Sequence, residues 1–261
     1  MAHKLEIVDV TKDYVGPRSQ FVRALDKVSI AVQPGEFVSL LGPRGCGKST
    51  LLSVIAGFEK ATSGEIRLDG RVVDGPGPDR GLVFQDYALF PWKTLRENVM
   101  YGPSKRGLPK EPRQEIAQRY ISLVGLSGFE GHYPHQLSGG MRQRCALARS
   151  VANNPQVILM DEPLAAIDAL TRNALQEEIL KVCEARDDQP RKTAVYVTHS
   201  IEEAVFLSDR IVLMSPRPGR IIQLLSGALP YPRPAETRQL PDFHRLAKDI
   251  WQTLKIYTKP A

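Results

Sequence analysis

Between the apolar run Phe37-Val-Ser-Leu-Leu41 and the amphipathic stretch Lys48–Phe58 lies Gly42-Pro43-Arg44-Gly45-Cys46-Gly47-Lys48-Ser49-Thr50. The apolar run is strand-sized and bounded by turn residues, whereas Leu51, Leu52 and Ile55 recur at helical spacing with Gly57 near the stop. Strand, glycine-rich loop and helix in that order leave a chain few ways to fold. The spacing Gly42-x-x-x-x-Gly47-Lys48-Ser49 is that of a P-loop, in which backbone N–H groups and the following helix N-terminus converge on phosphate oxygens. Glycine is required where a side chain would block that approach. Lys48 then supplies a point charge for β and γ phosphates, and the Ser49 hydroxyl is a hard oxygen ligand suited to Mg²⁺. The whole run from Gly42 to Thr50 is expected at the nucleotide.

The remaining pattern predicts an α/β chain. Leu5–Val10, Val28–Val32, Ile66–Leu68, Val72–Val73 and Leu82–Phe84 read as strands, and Lys105–Val124 as helical material broken by Pro109 and Pro112. After Leu137 the chain reads as a long helix through Ala152, then Val157–Asp161 as a strand, Ala169–Ala185 as a helix and Ala194–Thr198 as a strand. That alternation points to a parallel sheet. Ser200 and Glu203 have capping-box spacing, so a helix is expected just after His199. Residues 1–225 are read as one domain with a helical lobe at about 90–155, and residues 226–261 as a proline-rich linker and a terminal helix. In that helix Phe243, Leu246, Ile250 and Leu254 share a face, which suits core or subunit packing on one reading and a membrane surface on another.

Val157-Ile-Leu-Met-Asp161-Glu162-Pro163 is an apolar strand ending in two acids. Beside a phosphate loop, Asp161 can hold Mg²⁺ through water, and Glu162 can polarise an attacking water. No apolar run reaches membrane-spanning length, and the charged start Met1-Ala-His-Lys-Leu-Glu-Ile7 does not read as an export signal. Cys46, Cys145 and Cys183 lack metal-ligand spacing and fit reduced thiols. The net charge of +6 is spread along the chain, so a solvated basic surface is expected and not a nucleic-acid partner.

With the P-loop, Leu137-Ser138-Gly139-Gly140-Met141 and Asp161-Glu162-Pro163 in order, the chain resembles the nucleotide-binding subunit of an ABC transporter. The resemblance implies a P-loop NTPase core with a parallel sheet, an N-terminal antiparallel β subdomain and an inserted helical subdomain. It implies that Ser138, Gly139 and Gly140 contact the γ phosphate held by a second copy, which helix-terminus physics makes sensible. Position by position it gives Gln85 as the residue that senses Mg²⁺ and couples to the membrane subunit, Asp168 as the D-loop acid, His199 as the switch histidine and Tyr14 as the aromatic that stacks on adenine.

The phrases Val83–Trp92, Tyr133–Arg144, Thr198–Leu207 and Arg217-Pro-Gly-Arg220 resemble importers of nitrate, sulfonate and taurine. The implied machine is an ATPase whose two copies close head to tail on two ATP·Mg²⁺ at the cytoplasmic face of the inner membrane. They would drive a permease, contacted around Gln85–Trp92, and serve a solute-binding protein indirectly. The alternative is a soluble ATPase of the same superfamily in cluster assembly or regulation. Three departures stand out: Arg44 where the family has serine, Ala165-Ala-Ile-Asp168 for Ser-Ala-Leu-Asp, and Ser200 for aspartate. Arg44 could add charge to the phosphate pocket or crowd the seam between copies.

Overall fold

The computed structural model describes residues 3–15, 20–165, 167–184, 190–227 and 229–258. Met1, Ala2, Ala166 and Ala185, on which parts of the expectations above fall, lie outside them. Two compact units emerge, residues 1–77 with 185–261, and residues 78–184.

In the first unit β1 (Leu5–Val15) pairs antiparallel with β2 (Phe21–Val32) and with β4 (Ser63–Leu68), and β5 (Arg71–Val72) completes this sheet. Both long strands outrun the expected Leu5–Val10 and Val28–Val32. The reason is a set of register shifts between Ile7 and Asp13, with Asp9 at φ 45° and Lys27 at φ 49°, which breaks the period-two alternation. A second layer sets β3 (Phe37–Leu41) between β8 (Thr193–Thr198) and β9 (Arg210–Met214), parallel to both, with β10 (Ile221–Ser226) antiparallel on β9. All five residues of β3 and all six of β8 are buried, as a sheet covered on both faces requires. Strands β9 and β10 go beyond the sequence expectation.

Helix α1 (Lys48–Ala56) follows β3 and ends at Gly57, whose φ of 81° is the left-handed stop that glycine supplies. The predicted helix after His199 is α6 (Ile201–Leu207), with Ser200 Oγ accepting from Glu203 N at 3.3 Å. The proline-rich stretch read as a linker is in fact packed. Leu229 and Arg233 are each 4 % exposed, and the Arg233 guanidinium donates to the carbonyls of Phe206 (2.9 Å), Ser208 (3.0 Å) and Leu229 (2.9 Å). Proline content favours an extended path, but one buried cation satisfying the end of α6 fastens that path down. The terminal helix α7 (Pro241–Thr258) buries Phe243 and Ile250 and packs on α6, so core packing, not a membrane surface, accounts for the stripe.

The second unit pairs β6 (Arg80–Val83) in parallel with β7 (Val157–Asp161) and adds α2 (Leu95–Lys105), α3 (Lys110–Leu123), α4 (Gly139–Ala152) and α5 (Ala169–Cys183). The helical material expected over Lys105–Val124 is two helices. Thr94 and Glu97 form a full capping box that starts α2 well before Lys105, and Pro109 caps α3. Pro112 sits in the first turn of α3, where its missing N–H has no helical partner to lose. Helix α4 begins after Leu137, as expected, at Gly139, where Ser138 turns extended as its N-cap.

Candidate functional site

In the first unit Leu41 of β3 lies level with Thr198 of β8, so Gly42 and His199 leave adjacent parallel strands at the same carboxyl edge. That edge is where parallel α/β sheets place ligand-binding groups. Gly47, at φ 101°, is the N-cap of α1, and a Cβ there would stand 2.8 Å from the Ala24 carbonyl oxygen. Having no side chain, Gly47 gives α1 no side-chain cap, and the first N–H groups of the helix are suited to an anion.

Lys48 is 4 % exposed, and its ammonium donates to the carbonyls of Gly42 (2.9 Å) and Pro43 (3.0 Å). The side chain is thus folded back along the loop, its charge held at the loop's own rim. Arg44, Gly45 and Ser49 are exposed, Pro43 and Thr50 half-buried. Cys46 is fully buried, and burial pushes its thiol above the usual range. Cys46 thus packs inward beneath the loop.

His199 is exposed at the tip of β8 and is bracketed by Thr198 and Ser200. Thr198 Oγ1 donates to Glu203 Oε2 at 2.7 Å and accepts from Ser200 N at 2.9 Å, while Tyr196 O–H donates to the same Glu203 oxygen at 2.9 Å. Glu203, 5 % exposed, is a support that the sequence reading assigned only to a cap. Tyr14, on β1 opposite Val22, is 37 % exposed with Lys12 Nζ 4.9 Å from its ring centre.

In the second unit Val83 pairs with Met160, which brings Phe84-Gln85 and Asp161-Glu162 out at one edge of the β6–β7 pair. Gln85 is exposed, Asp161 and Glu162 half-buried. Glu162 has φ 41°, an unusual left-handed conformation for a residue with a side chain. Ser138 is exposed and its Oγ accepts from Met141 N at 3.3 Å, with Gly139 and Gly140 forming the half-exposed first turn of the 14-residue α4. Asp168 caps α5 in the same way, Oδ1 accepting from Thr171 N at 3.0 Å.

The segment after Gln85 is held by two residues outside the sequence reading. Asn98, fully buried in α2, accepts from Phe90 N (2.9 Å) and donates to the carbonyls of Lys93 and Thr94 (both 3.0 Å). Arg149 of α4 donates to the carbonyls of Ala88 (2.6 Å) and Tyr87 (3.1 Å), and burial lowers its pKa. A polar residue on the buried face of α2 was the available signal for Asn98. Beside them opens a cavity of about 640 Å³ lined by Phe84, Phe90 and Tyr101 with Arg80, Lys105 and Arg149.

Comparison with known proteins bears on the family and the fold. The family described as ABC transporter matches residues 25–165. An uncharacterized ABC transporter ATP-binding protein of Methanocaldococcus jannaschii is 48% identical over 98% of this chain and 92% of its own. The taurine import ATP-binding protein of Roseobacter denitrificans is 48% identical over 83% of this chain and 80% of its own. Among solved structures, a dimeric post-hydrolysis state of an ATP-binding cassette bound to ADP and Pi superposes with a TM-score of 0.74 at 35% identity, covering 85% of this chain and 98% of that one. Phosphate loop, capped Ser-Gly-Gly helix and acid-tipped β7 thus sit in a fold shared along nearly the whole chain, and the chain belongs to the ABC transporter family as an ATP-binding subunit.

Proposed function

We propose that this subunit hydrolyses ATP to power uptake of a small anion, of the nitrate, sulfonate or taurine kind, through a membrane permease. The observation that carries the ATPase reading is the emergence of the phosphate loop and His199 from adjacent strands at paired residues Leu41 and Thr198. Lys48 and the α1 N-terminus bind the β and γ phosphates, and Tyr14 stacks on the adenine. Glu162 polarises the attacking water, with His199 orienting the γ phosphate.

Ser49, Gln85 and Asp161 offer hard oxygen donors, a set that fits Mg²⁺, which when bound would neutralise charge on the phosphates. Ser138, Gly139 and Gly140, exposed at a helix N-terminus of their own, complete the site of a second copy, and Asp168 lies at the seam. Two ATP molecules thereby shift an open-closed equilibrium that a permease converts into alternating access.

The cavity beside Phe90 and Tyr101 supports transport over a soluble role, because it offers a permease an aromatic and cationic groove on the segment that begins at Gln85. Among the described residues no helix is long and apolar enough to cross a membrane, so attachment to the cytoplasmic face would come through that groove. The taurine-importing relative supports the cargo class. Glu162→Gln is expected to abolish hydrolysis and to give a dimer with ATP on size exclusion. Normal hydrolysis by that variant removes Glu162 from the role. Uptake of labelled taurine and nitrate by vesicles carrying the permease, with its binding protein, tests the cargo, and transport of neither rejects the class.

A further inference from the structure

The turn between β9 and β10, Ser215-Pro-Arg-Pro-Gly-Arg220, is the one phrase of the sequence that the mechanism above leaves unused. It does not hang free. Gly219 is buried, its N–H donates to the Ala24 carbonyl at 2.9 Å, and its own carbonyl accepts from Asp26 N at 3.0 Å. A Cβ on Gly219 would fall 2.1 Å from the carbonyl oxygen of Cys46, inside the phosphate loop. Backbone thus lies directly on backbone, with no flexible side chain to give way. Ala24 is shared, since the same carbonyl oxygen stands 2.8 Å from where a Cβ on Gly47 would be.

The turn is also fastened. Ser215 Oγ donates to the Pro218 carbonyl at 2.9 Å and accepts from Arg220 N at 3.0 Å. Arg220 pairs with Asp26 (Nε at 2.8 Å), Asp26 with Arg23 at 3.3 Å, and Arg23 with Asp13 at 2.9 Å. Asp13 precedes Tyr14, so one run of ion pairs joins the turn to the strand that bears the aromatic.

We propose that the Ser215–Arg220 turn is a positioning element for the phosphate loop, setting the height of Cys46-Gly47 against β2 and so the aim of the N–H groups at the start of α1. This rests on the reading that Gly42–Thr50 holds the phosphates. Loops that bind through backbone groups lose affinity when displaced by a fraction of an ångström, because the donors cannot re-aim singly.

The test measures binding of ATP and of inorganic tripolyphosphate, which has phosphates but no adenine, to the full chain and its variants. Gly219→Ala is expected to weaken both ligands at least tenfold. Gly70→Ala, at φ 73° with nothing within 4 Å of its Cβ, imposes a backbone strain of its own away from the loop and is expected to bind both within twofold of the parent. Arg220→Ala keeps Gly219 and removes a side chain that is 64% exposed, so it decides the matter should Gly219→Ala fail to fold. It is expected to weaken both ligands at least threefold.

The proposal is overturned if folded Gly219→Ala, or Arg220→Ala in its place, binds both ligands within twofold of the parent. Loss of ATP affinity with tripolyphosphate unchanged also overturns it, since the turn then acts on the adenine side. An equal loss in Gly70→Ala overturns it as general destabilisation. Lys48→Ala separates the two readings. If it leaves tripolyphosphate binding unchanged, the phosphate-loop reading itself fails; if it abolishes binding while the turn variants do not, only the turn is wrong.

Discussion

Removing the Glu203 side chain should cost both stability and turnover, and the size of each follows from what the carboxyl group holds. One of its oxygens accepts from Tyr196 O–H at 2.9 Å and from Thr198 Oγ1 at 2.7 Å, inside a site where Glu203 is 5 % and Tyr196 0 % exposed. Glu203→Ala deletes two buried hydrogen bonds and leaves two hydroxyls to find other acceptors. At about 1–2 kcal/mol for each bond lost in a buried setting, the expected destabilisation is about 2–4 kcal/mol. Glu203→Gln retains an amide oxygen that both hydroxyls can still reach and should cost about 1 kcal/mol.

The functional effect has a separate origin. Thr198 Oγ1 also accepts from Ser200 N at 2.9 Å, so the hydroxyl that Glu203 anchors spans the two neighbours of His199. Once that hydroxyl rotates, the imidazole loses its fixed position, and a misplacement of about 1 Å can lower a rate about 100-fold. Urea unfolding followed by intrinsic fluorescence, with steady-state ATP hydrolysis on the same preparations, checks both parts. Glu203→Ala with unfolding free energy and kcat both unchanged refutes the reasoning. A stability loss in Glu203→Ala matched by an equal loss in Glu203→Gln would locate the effect in charge and not in the two hydroxyls.

Arg44→Ser, at an exposed position, should leave stability within about 0.5 kcal/mol and raise hydrolysis in the assembled transporter, if the guanidinium slows closure of the two copies. An unchanged hydrolysis rate sinks that account. Cys46, 0% exposed, should react with maleimide far more slowly than a free thiol, with or without ATP; fast labelling at pH 7 would contradict its burial. Burial pushes Cys145 up to about 12 from an ordinary 9.0, so the folded chain keeps a proton that the unfolded chain releases. Stability from this group is complete below pH 9 and lost as pH rises towards 12, by about 4 kcal/mol at most. Cys145→Ala should flatten that alkaline limb in pH-dependent urea titrations, and an identical slope would remove Cys145 from it.

The elements legible in the sequence are those whose local chemistry is self-sufficient. The phosphate loop announces itself because glycine spacing, a lysine and a helix start occur within nine residues, and each is needed by the same anion. Ser138 and Asp168 drew notice in the sequence through the family resemblance, and the structure adds that both are N-caps, so one oxygen sets the entry of each helix. What escaped depends on partners distant in sequence. Ile211-Val-Leu-Met214 carries no period because β9 is buried on both faces, and its strand state is fixed by pairing with β3, more than 160 residues earlier. Asn98 looks like a lapse in an apolar helix face until the carbonyls of Phe90, Lys93 and Thr94 are placed around it.

Proline misled in the opposite direction. The run from Leu229 to Pro241 has the composition of a spacer, yet Tyr231 and Arg233 bind it to the core. The Arg233 guanidinium stacks 4.1 Å from the Tyr231 ring centre and fills the carbonyls at the end of α6, the helix that starts beside His199. Composition reports the entropy a segment can shed; it is silent on whether a single buried cation stands ready to hold it. The extension therefore belongs to the architecture that holds His199. Glu203 steadies α6 at its start and Arg233 at its end, so the short helix is fixed at both termini by buried side chains.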